Sequence, residues 1–285
     1  MEIDFSSWIG RSELASDELC ATQAQAAQAT LGETGAALVS GDELPLPWHW
    51  FYFLPRAAQA ALGEDGHPQR GGFLPPFAHP RRMFAGARMR VHRPLLVGML
   101  AQREATIRDV KLKSGKSGSL AFVTVAYRTT QQGCLCLEEE QDIVYREASQ
   151  PVPAAQPAAL PELAANAWSR TLTPDTRLLF RFSALTFNAH RIHYDRPYAT
   201  DVEGYPGLVV HGPLVAVLLA QLLRRSSPRP IASFDFRGQA PLFDGGAVRL
   251  SALTEGERVT LEARGPDGAV ALLAWATLAP RGAPP

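Results

Sequence analysis

The sequence predicts an α+β protein built from two antiparallel sheets, each wrapped around a central helix. Three observations predict it. Strand-like runs separated by short polar turns come in two groups of four, one in each half of the chain. A Pro/Ala-rich stretch without periodicity, SQPVPAAQPAALPEL at 149–163, separates the groups. Finally, HGPLVAVLLAQLLRR at 211–225 is apolar almost all round, as a helix enclosed by a sheet must be.

Taken in order, SDELCATQAQAAQATL at 16–31 predicts a helix. Ser16 is placed to cap it, Asp17 and Glu18 to complement its dipole, and Gly32 to stop it. PLPWHWFYFLP at 45–55 predicts a helix-like aromatic segment, buried or facing a ligand, that Pro55 limits. GEDGHPQRGGFLPPFAHPR at 63–81 predicts a Gly/Pro loop of a length that is often functional in a compact domain. Four strands then form a predicted antiparallel meander at 88–98, 101–113, 119–131 and 134–147, with SGKSG as the turn between the second and third. The domain boundary is placed after this set: an N-terminal unit at 1–148, a linker at 149–165 and a C-terminal unit at 166–285. In the second unit LLFRFSALTF at 178–187 predicts a strand. The apolar helix follows, with Pro213 in its first turn and Arg224 and Arg225 at the negative end of its dipole. The strands IASFDFRGQAPLF, AVRLSALTEG, RVTLEARGP and AVALLAWATLA close the chain, so the two halves repeat an architecture with little sequence identity.

Composition bounds the function. The 285 residues are 46% apolar and 20% charged, with a formal net charge of zero. This excludes global disorder and gives no reason to expect nucleic acid or an anionic membrane as the main partner. The three cysteines, Cys20, Cys134 and Cys136, lack framework spacing and read as free thiols. The N-terminal residues fit neither a signal nor a transit peptide, and the longest apolar run, 212–223, is about half a membrane span. The expectation is a soluble, cytoplasmic protein. No G-x-S-x-G, Walker or Rossmann fingerprint occurs, and the GKSG in the hairpin turn lacks P-loop spacing.

The densest chemistry lies in FNAHRIHYDRPYA, 187–199. His193 is suited to proton transfer near neutral pH. A metal reading would take His190, His193 and Asp195, but H-x-x-H on a strand-to-loop passage splays its rings, so no metal is expected. His190 and His211 can equally hydrogen-bond the loop. Arg191 and Arg196 are solvated charges or anion ligands. Tyr194, Tyr198 and Tyr205 are packing or substrate wall.

NAHRIHYD, followed by YPGLVVHGPL opening a helix, resembles the MaoC-like hydratase/dehydratases of the hot-dog fold, and specifically the group with an N-terminal FAS1-type dehydratase domain. PWHWFYFLP, GHPQRGGFLPPF and RRMFAGARMRVHRPLLVG extend the resemblance over the first half, so it covers nearly the whole chain. It implies a double hot dog with a non-catalytic first unit and a catalytic second one. It implies that His193 is the catalytic histidine and that Asn188 stands where the MaoC-like family at large has a catalytic aspartate, an asparagine that the group with the N-terminal FAS1-type domain shares. An amide cannot transfer a proton as a carboxylic acid does, which leaves the second acid/base group to His193 itself, to Asp195 or to a substrate carboxylate. The resemblance places the Gly212 helix start at the substrate, its backbone N–H groups facing a thioester carbonyl, and Arg191, Tyr194, Gly207, Val209 and His211 are the further candidate substrate-binding residues. The implied reaction is reversible hydration of a short enoyl-CoA, mesaconyl-C4-CoA or itaconyl-CoA, to citramalyl-CoA. The CoA thioester is then substrate and no cofactor is required. A further homodimer is compatible with it. The rival readings are a 3-hydroxyacyl-thioester dehydratase of fatty-acid synthesis, a thioesterase, and an acyl-thioester binding protein without turnover.

Overall fold

The computed structural model describes residues 5–115, 118–147 and 152–280. Its strands are β1 (Ser12–Glu18), β2 (Arg81–Val91), β3 (Leu100–Gly115), β4 (Gly118–Gln131), β5 (Cys134–Arg146), β6 (Trp168–Leu172), β7 (Ile231–Gly238), β8 (Val248–Glu255), β9 (Arg258–Arg264) and β10 (Val270–Leu278). The helices are α1 (Ala21–Leu31), α2 (Thr176–Leu185) and α3 (Gly212–Ser226). Lys116 and Ser117 of the predicted SGKSG turn, and 149–151 of the linker, lie outside the described residues; 152–165 carries neither helix nor strand.

The two predicted sheets join edge to edge into one ten-stranded antiparallel sheet, ordered β1-β3-β4-β5-β2-β7-β10-β9-β8-β6. Each half has the same internal order, reversed about the β2–β7 seam. The meander holds for β3-β4-β5, but β2 pairs with β5 and β7 rather than with β3. The seam is close: a Cβ on Gly86 would lie 2.3 Å from the Phe236 carbonyl oxygen, so a side chain there would push β7 away.

Helix α3 packs against β6 to β10, and Leu214 to Leu223 are buried without interruption, as its all-round apolar pattern requires. Its one buried amide, Gln221, accepts from Arg170 at 2.8 Å and donates to the Leu31 carbonyl at 3.0 Å. That second bond ties α3 to the end of α1, which terminates at Gly32 (φ 65°) as expected.

Several elements differ from expectation. The strand predicted at 88–98 is β2, Arg81–Val91, and β6, Trp168–Leu172, forms where no element is predicted. Residues 12–18 form strand β1, with Ser16 opposite Gln102, so the first helix starts at Ala21 behind Cys20 and not behind Ser16. Residues 178–185 are helical, not extended. Asp175 Oδ1 accepts from the Leu178 N–H at 2.9 Å, and Leu179, Phe182, Ser183 and Leu185 form one buried face. Of the cysteines, all free, Cys136 is buried and the other two are partly buried.

Candidate active site

The motif begins where α2 ends. Phe187 adopts φ 50°, which turns the chain sharply, and the Asn188 N–H returns to the Ser183 carbonyl at 2.8 Å. Asn188 Oδ1 then accepts from the His190 N–H at 3.0 Å, closing an Asx turn. One short 3₁₀ turn, Arg191–His193, follows. The segment before α3 is held from both sides: Val209 N–H donates to Ile192 O at 2.9 Å, and Val210 N–H to Leu242 O at 2.8 Å. These bonds bring His211 and the start of α3 against His193.

The result is a row of four imidazoles. His193 stacks on His211 with centroids 3.6 Å apart and planes at 19°. His190 meets His193 edge-on at 5.3 Å, and His67 lies over His190 at 4.0 Å. His193 Nδ1 is 2.7 Å from the Val209 carbonyl oxygen, which only accepts, so the proton sits on Nδ1 and Nε2 keeps its lone pair. Burial lowers His193 to about 4, against the stabilising Val209 bond. Burial, followed by the charges of His67 and His193, lowers His190 to about 2; burial takes His211 well below its ordinary value. The row is therefore neutral at pH 7. His211 Nε2 lies 2.9 Å from Ser183 Oγ, while its Nδ1 is buried without a partner among the described residues.

The row lines a cleft of about 1860 Å³ walled by both halves of the sheet, Trp50 and Arg82 from the first and Phe182, Val209 and Gly212 from the second. That exceeds the ~300–1,000 Å³ of common small-molecule sites and suits a long ligand. At the head of α3, Pro213 has no N–H, so Gly212 and Leu214 supply the unpaired first-turn donors. The nearest atom to a Cβ built on Gly212 is 3.9 Å away, which leaves room for close backbone approach.

Asn188, Tyr194, Val209, His211 and Gly212 line this cleft with His193, Tyr194 being half exposed. Two residues expected at the substrate do not. Arg191 is committed to its own turn: Nε and Nη2 bond Asp195 Oδ2 at 2.9 and 2.8 Å, Nη1 donates to Glu64 O, and the guanidinium lies 4.1 Å from the Tyr198 ring centroid. Gly207 serves packing, since a Cβ there would meet Asp244 Oδ1 at 2.8 Å, and that carboxylate holds Leu208 N–H and pairs with Arg196. Asp195 is likewise occupied by Arg191 and by the Tyr198 N–H, which removes it as a second acid/base group and as a metal ligand beside His193.

The residues that sequence reasoning missed come from the 63–81 loop. Asp65 Oδ2 accepts from His67 Nδ1 at 3.0 Å. Burial alone would raise the Asp65 carboxyl, but the hydrogen bonds and charge of His67 outweigh it and hold it at about 2. The loop is pressed onto the motif: Arg191 N–H donates to Asp65 O at 2.9 Å, and a Cβ on Gly66 (φ +88°) would fall 1.8 Å from Ala189 O. Asp65, His67 and His190 also place one ligand-type atom each within 4.8 Å of one another. The Asp65–His67 hydrogen bond makes the arrangement a carboxylate–imidazole pair before anything else. The GEDGHP segment signalled a functional loop, but nothing in its spacing pointed to residues 120 positions on.

The family model for hydroxyacyl-thioester dehydratase type 2 matches residues 47–244. A mesaconyl-C(4)-CoA hydratase of Chloroflexus aurantiacus is 61% identical over 96% of this chain and 98% of its own length. The chain belongs to the hydroxyacyl-thioester dehydratase type 2 family. The mitochondrial member from Schizosaccharomyces pombe is 28% identical over 71% of this chain and 75% of its own. As a member of this family the protein is a hydro-lyase. Solved structures agree on the fold: a MaoC-like dehydratase superimposes with a TM-score of 0.71 at 13% identity, covering 96% of this chain and 98% of that one. A Mycobacterium tuberculosis protein described as a double hotdog superimposes with a TM-score of 0.55 at 15% identity, covering 95% and 96%. This family member is thus a double hot dog. No helix among its described residues is long and apolar enough to cross a membrane.

Proposed function

We propose that the protein reversibly hydrates a short dicarboxylic enoyl-CoA, mesaconyl-C4-CoA or itaconyl-CoA, to citramalyl-CoA. The observation that carries the reading is the tautomer of His193: Val209 O holds the Nδ1 proton, so a neutral Nε2 base faces a cleft at the head of a helix. The named activity of the 61% identical relative supports the choice of acyl group.

In this reading the thioester oxygen accepts from the Gly212 and Leu214 N–H groups, where the α3 dipole is positive. On mesaconyl-C4-CoA, whose double bond joins C2 and C3, His193 Nε2 takes a proton from water as its oxygen bonds to C3, and the C=C electron pair moves onto C2 and the thioester. The imidazolium returns that proton to C2, so His193 ends as it began. Asn188 spends its Oδ1 on the loop, leaving its NH₂ to donate to the water or substrate. The division into a wall-forming unit at 1–148 and a catalytic one at 166–285 belongs to this proposal, as do the cytoplasm as the place of reaction, where acyl-CoA is the partner, and a compatible homodimer.

The test is turnover on a panel of mesaconyl-C4-CoA, itaconyl-CoA, crotonyl-CoA and a longer enoyl-CoA, followed by loss of conjugated absorbance and by product mass. Addition of one water to a diacid substrate is the expected result. Turnover confined to long chains would move the protein to fatty-acid dehydration, and release of free thiol would make it a thioesterase.

A further inference from the structure

We propose that the Arg82 guanidinium seats the free carboxylate of the acyl group, and so selects dicarboxylic over simple enoyl thioesters. This rests on the hydratase reading above. Arg82 lies on β2 opposite Tyr145, is partly buried, and lines the cleft. Of the other arginines lining the cleft, Arg81, Arg70 and Arg103 have partners, whereas Arg146, at the end of β5, shares with Arg82 the lack of a side-chain hydrogen bond or ion pair among the described residues. Arg81 pairs with Glu203 at 2.9 Å. Arg70 donates to the Phe77 and Pro80 carbonyls. Arg103 lies over Phe53 and Tyr127, 4.6 and 5.0 Å from their ring centroids. Among the described residues the Arg82 side chain has neither a hydrogen bond nor an ion pair.

A cation removed from part of its hydration without a counter-ion is unfavourable. A cleft that retains one is suited to a ligand that brings the anion. The five donors of a guanidinium fit a carboxylate or a phosphate in a two-pronged fashion. Two sources of such an anion exist in an acyl-CoA: the acyl carboxylate and the CoA phosphates. Position favours the first. Arg82 lines the same cleft as His67, His190 and the proposed base His193, and its charge acts on both His67 and His190. The free carboxylate of a mesaconyl group is within a bond or two of the carbons being hydrated, whereas the phosphates lie at the far end of the pantetheine arm. Asp65, the nearby anion, is turned to His67 and forms no ion pair with Arg82.

The experiment compares wild type, Arg82→Ala, Arg82→Gln and Arg82→Lys on mesaconyl-C4-CoA and on crotonyl-CoA, which has the same CoA and no free carboxylate. Hydrogen bonds to charged groups contribute ~1.5–3 kcal/mol, which converts to a loss of about 10–150-fold. The expected result is that kcat/KM falls by that factor on mesaconyl-C4-CoA for Ala and Gln, mostly through KM, and changes less than threefold on crotonyl-CoA. Lysine should recover part of the loss. Equal losses on both substrates would overturn the assignment in favour of a CoA phosphate. Unchanged kinetics in Arg82→Gln, with thermal unfolding matching wild type, would overturn it outright. A wild type that hydrates crotonyl-CoA but no diacid leaves a hydratase and overturns this seat; a wild type that hydrates neither sinks the hydratase reading and the seat with it.

Discussion

Gly66→Ala should loosen the contact that joins the two halves at the site. Two costs add. At φ +88° an L side chain is strained by ~1–3 kcal/mol. The new Cβ would also lie 1.8 Å from the Ala189 oxygen, 2.7 Å from its carbon and 3.3 Å from His190 Cα, so the loop must back away by more than 1 Å. That movement breaks the 2.9 Å bond from Arg191 N–H to Asp65 O, a further ~1 kcal/mol. The sum is about 2–4 kcal/mol, or ~5–15 °C in Tm at ~2–4 °C per kcal/mol for a chain of this size class. Because His67 rests on His190, and His190 on His193, the displacement reaches the base; a misplacement of ~1 Å can cost ~100-fold in rate. The assay is thermal unfolding and enoyl-CoA turnover, with Gly72→Ala as the comparison, since a Cβ there meets nothing within 4 Å. A Gly66→Ala protein that melts within 1 °C of wild type and keeps kcat within twofold would refute the docking argument.

The remaining expectations are as direct. His193→Ala should lose ~10²–10⁴ in kcat while acyl-CoA affinity, read by calorimetry, stays within threefold. kcat/KM should be level from pH 8 to about 5 and fall as pH approaches about 4, where Nε2 of His193 becomes protonated; an acid limb centred near 6.5 would contradict it. Stability follows the same sign. Histidines with folded values below 6.5 bind protons more readily when unfolded, so chemical denaturation should show full stability above that pH and progressive loss below it, the His193 share complete near 4. Ser183→Ala removes the only hydrogen-bond partner of the His211 ring among the described residues, and should lower stability by ~1–3 kcal/mol.

What could be read from the sequence was what lies close along it. Asn188, His190, His193, His211 and Gly212 fall within one stretch, and the Val209 carbonyl that selects the His193 tautomer is in the same stretch. Arg191 shows how such reading errs: a cation inside a motif suggests a ligand, but its Asp195 stands four residues on, the spacing at which a helical turn forms an ion pair. LLFRFSALTF reads as a strand because Leu178, Phe180 and Phe182 alternate. The helix prevailed because Asp175 caps it and because 179, 182 and 185 bury one face while Phe180 stays 65% exposed. His67 and Arg82 were illegible for another reason: the motif they face, around His190 and His193, lies more than 100 residues away, and only the joining of the two halves brings them to one cleft.

The two glycines at the inter-half contacts explain why this fold places its site there. Gly86 lets β2 approach β7 and so fuses the two sheets; Gly66 lets the long loop of the first half reach the motif of the second. Neither half alone has the cleft. The second supplies the neutral base and the helix N-terminus, and the first supplies His67, Arg82 and one wall. A single chain therefore holds what one hot-dog unit could not enclose. The first half is the place to look for what distinguishes one acyl group from another, because the bonds that orient His193 and Asn188 directly lie within the second half, while the first half braces that motif from outside through Asp65, Gly66 and His67.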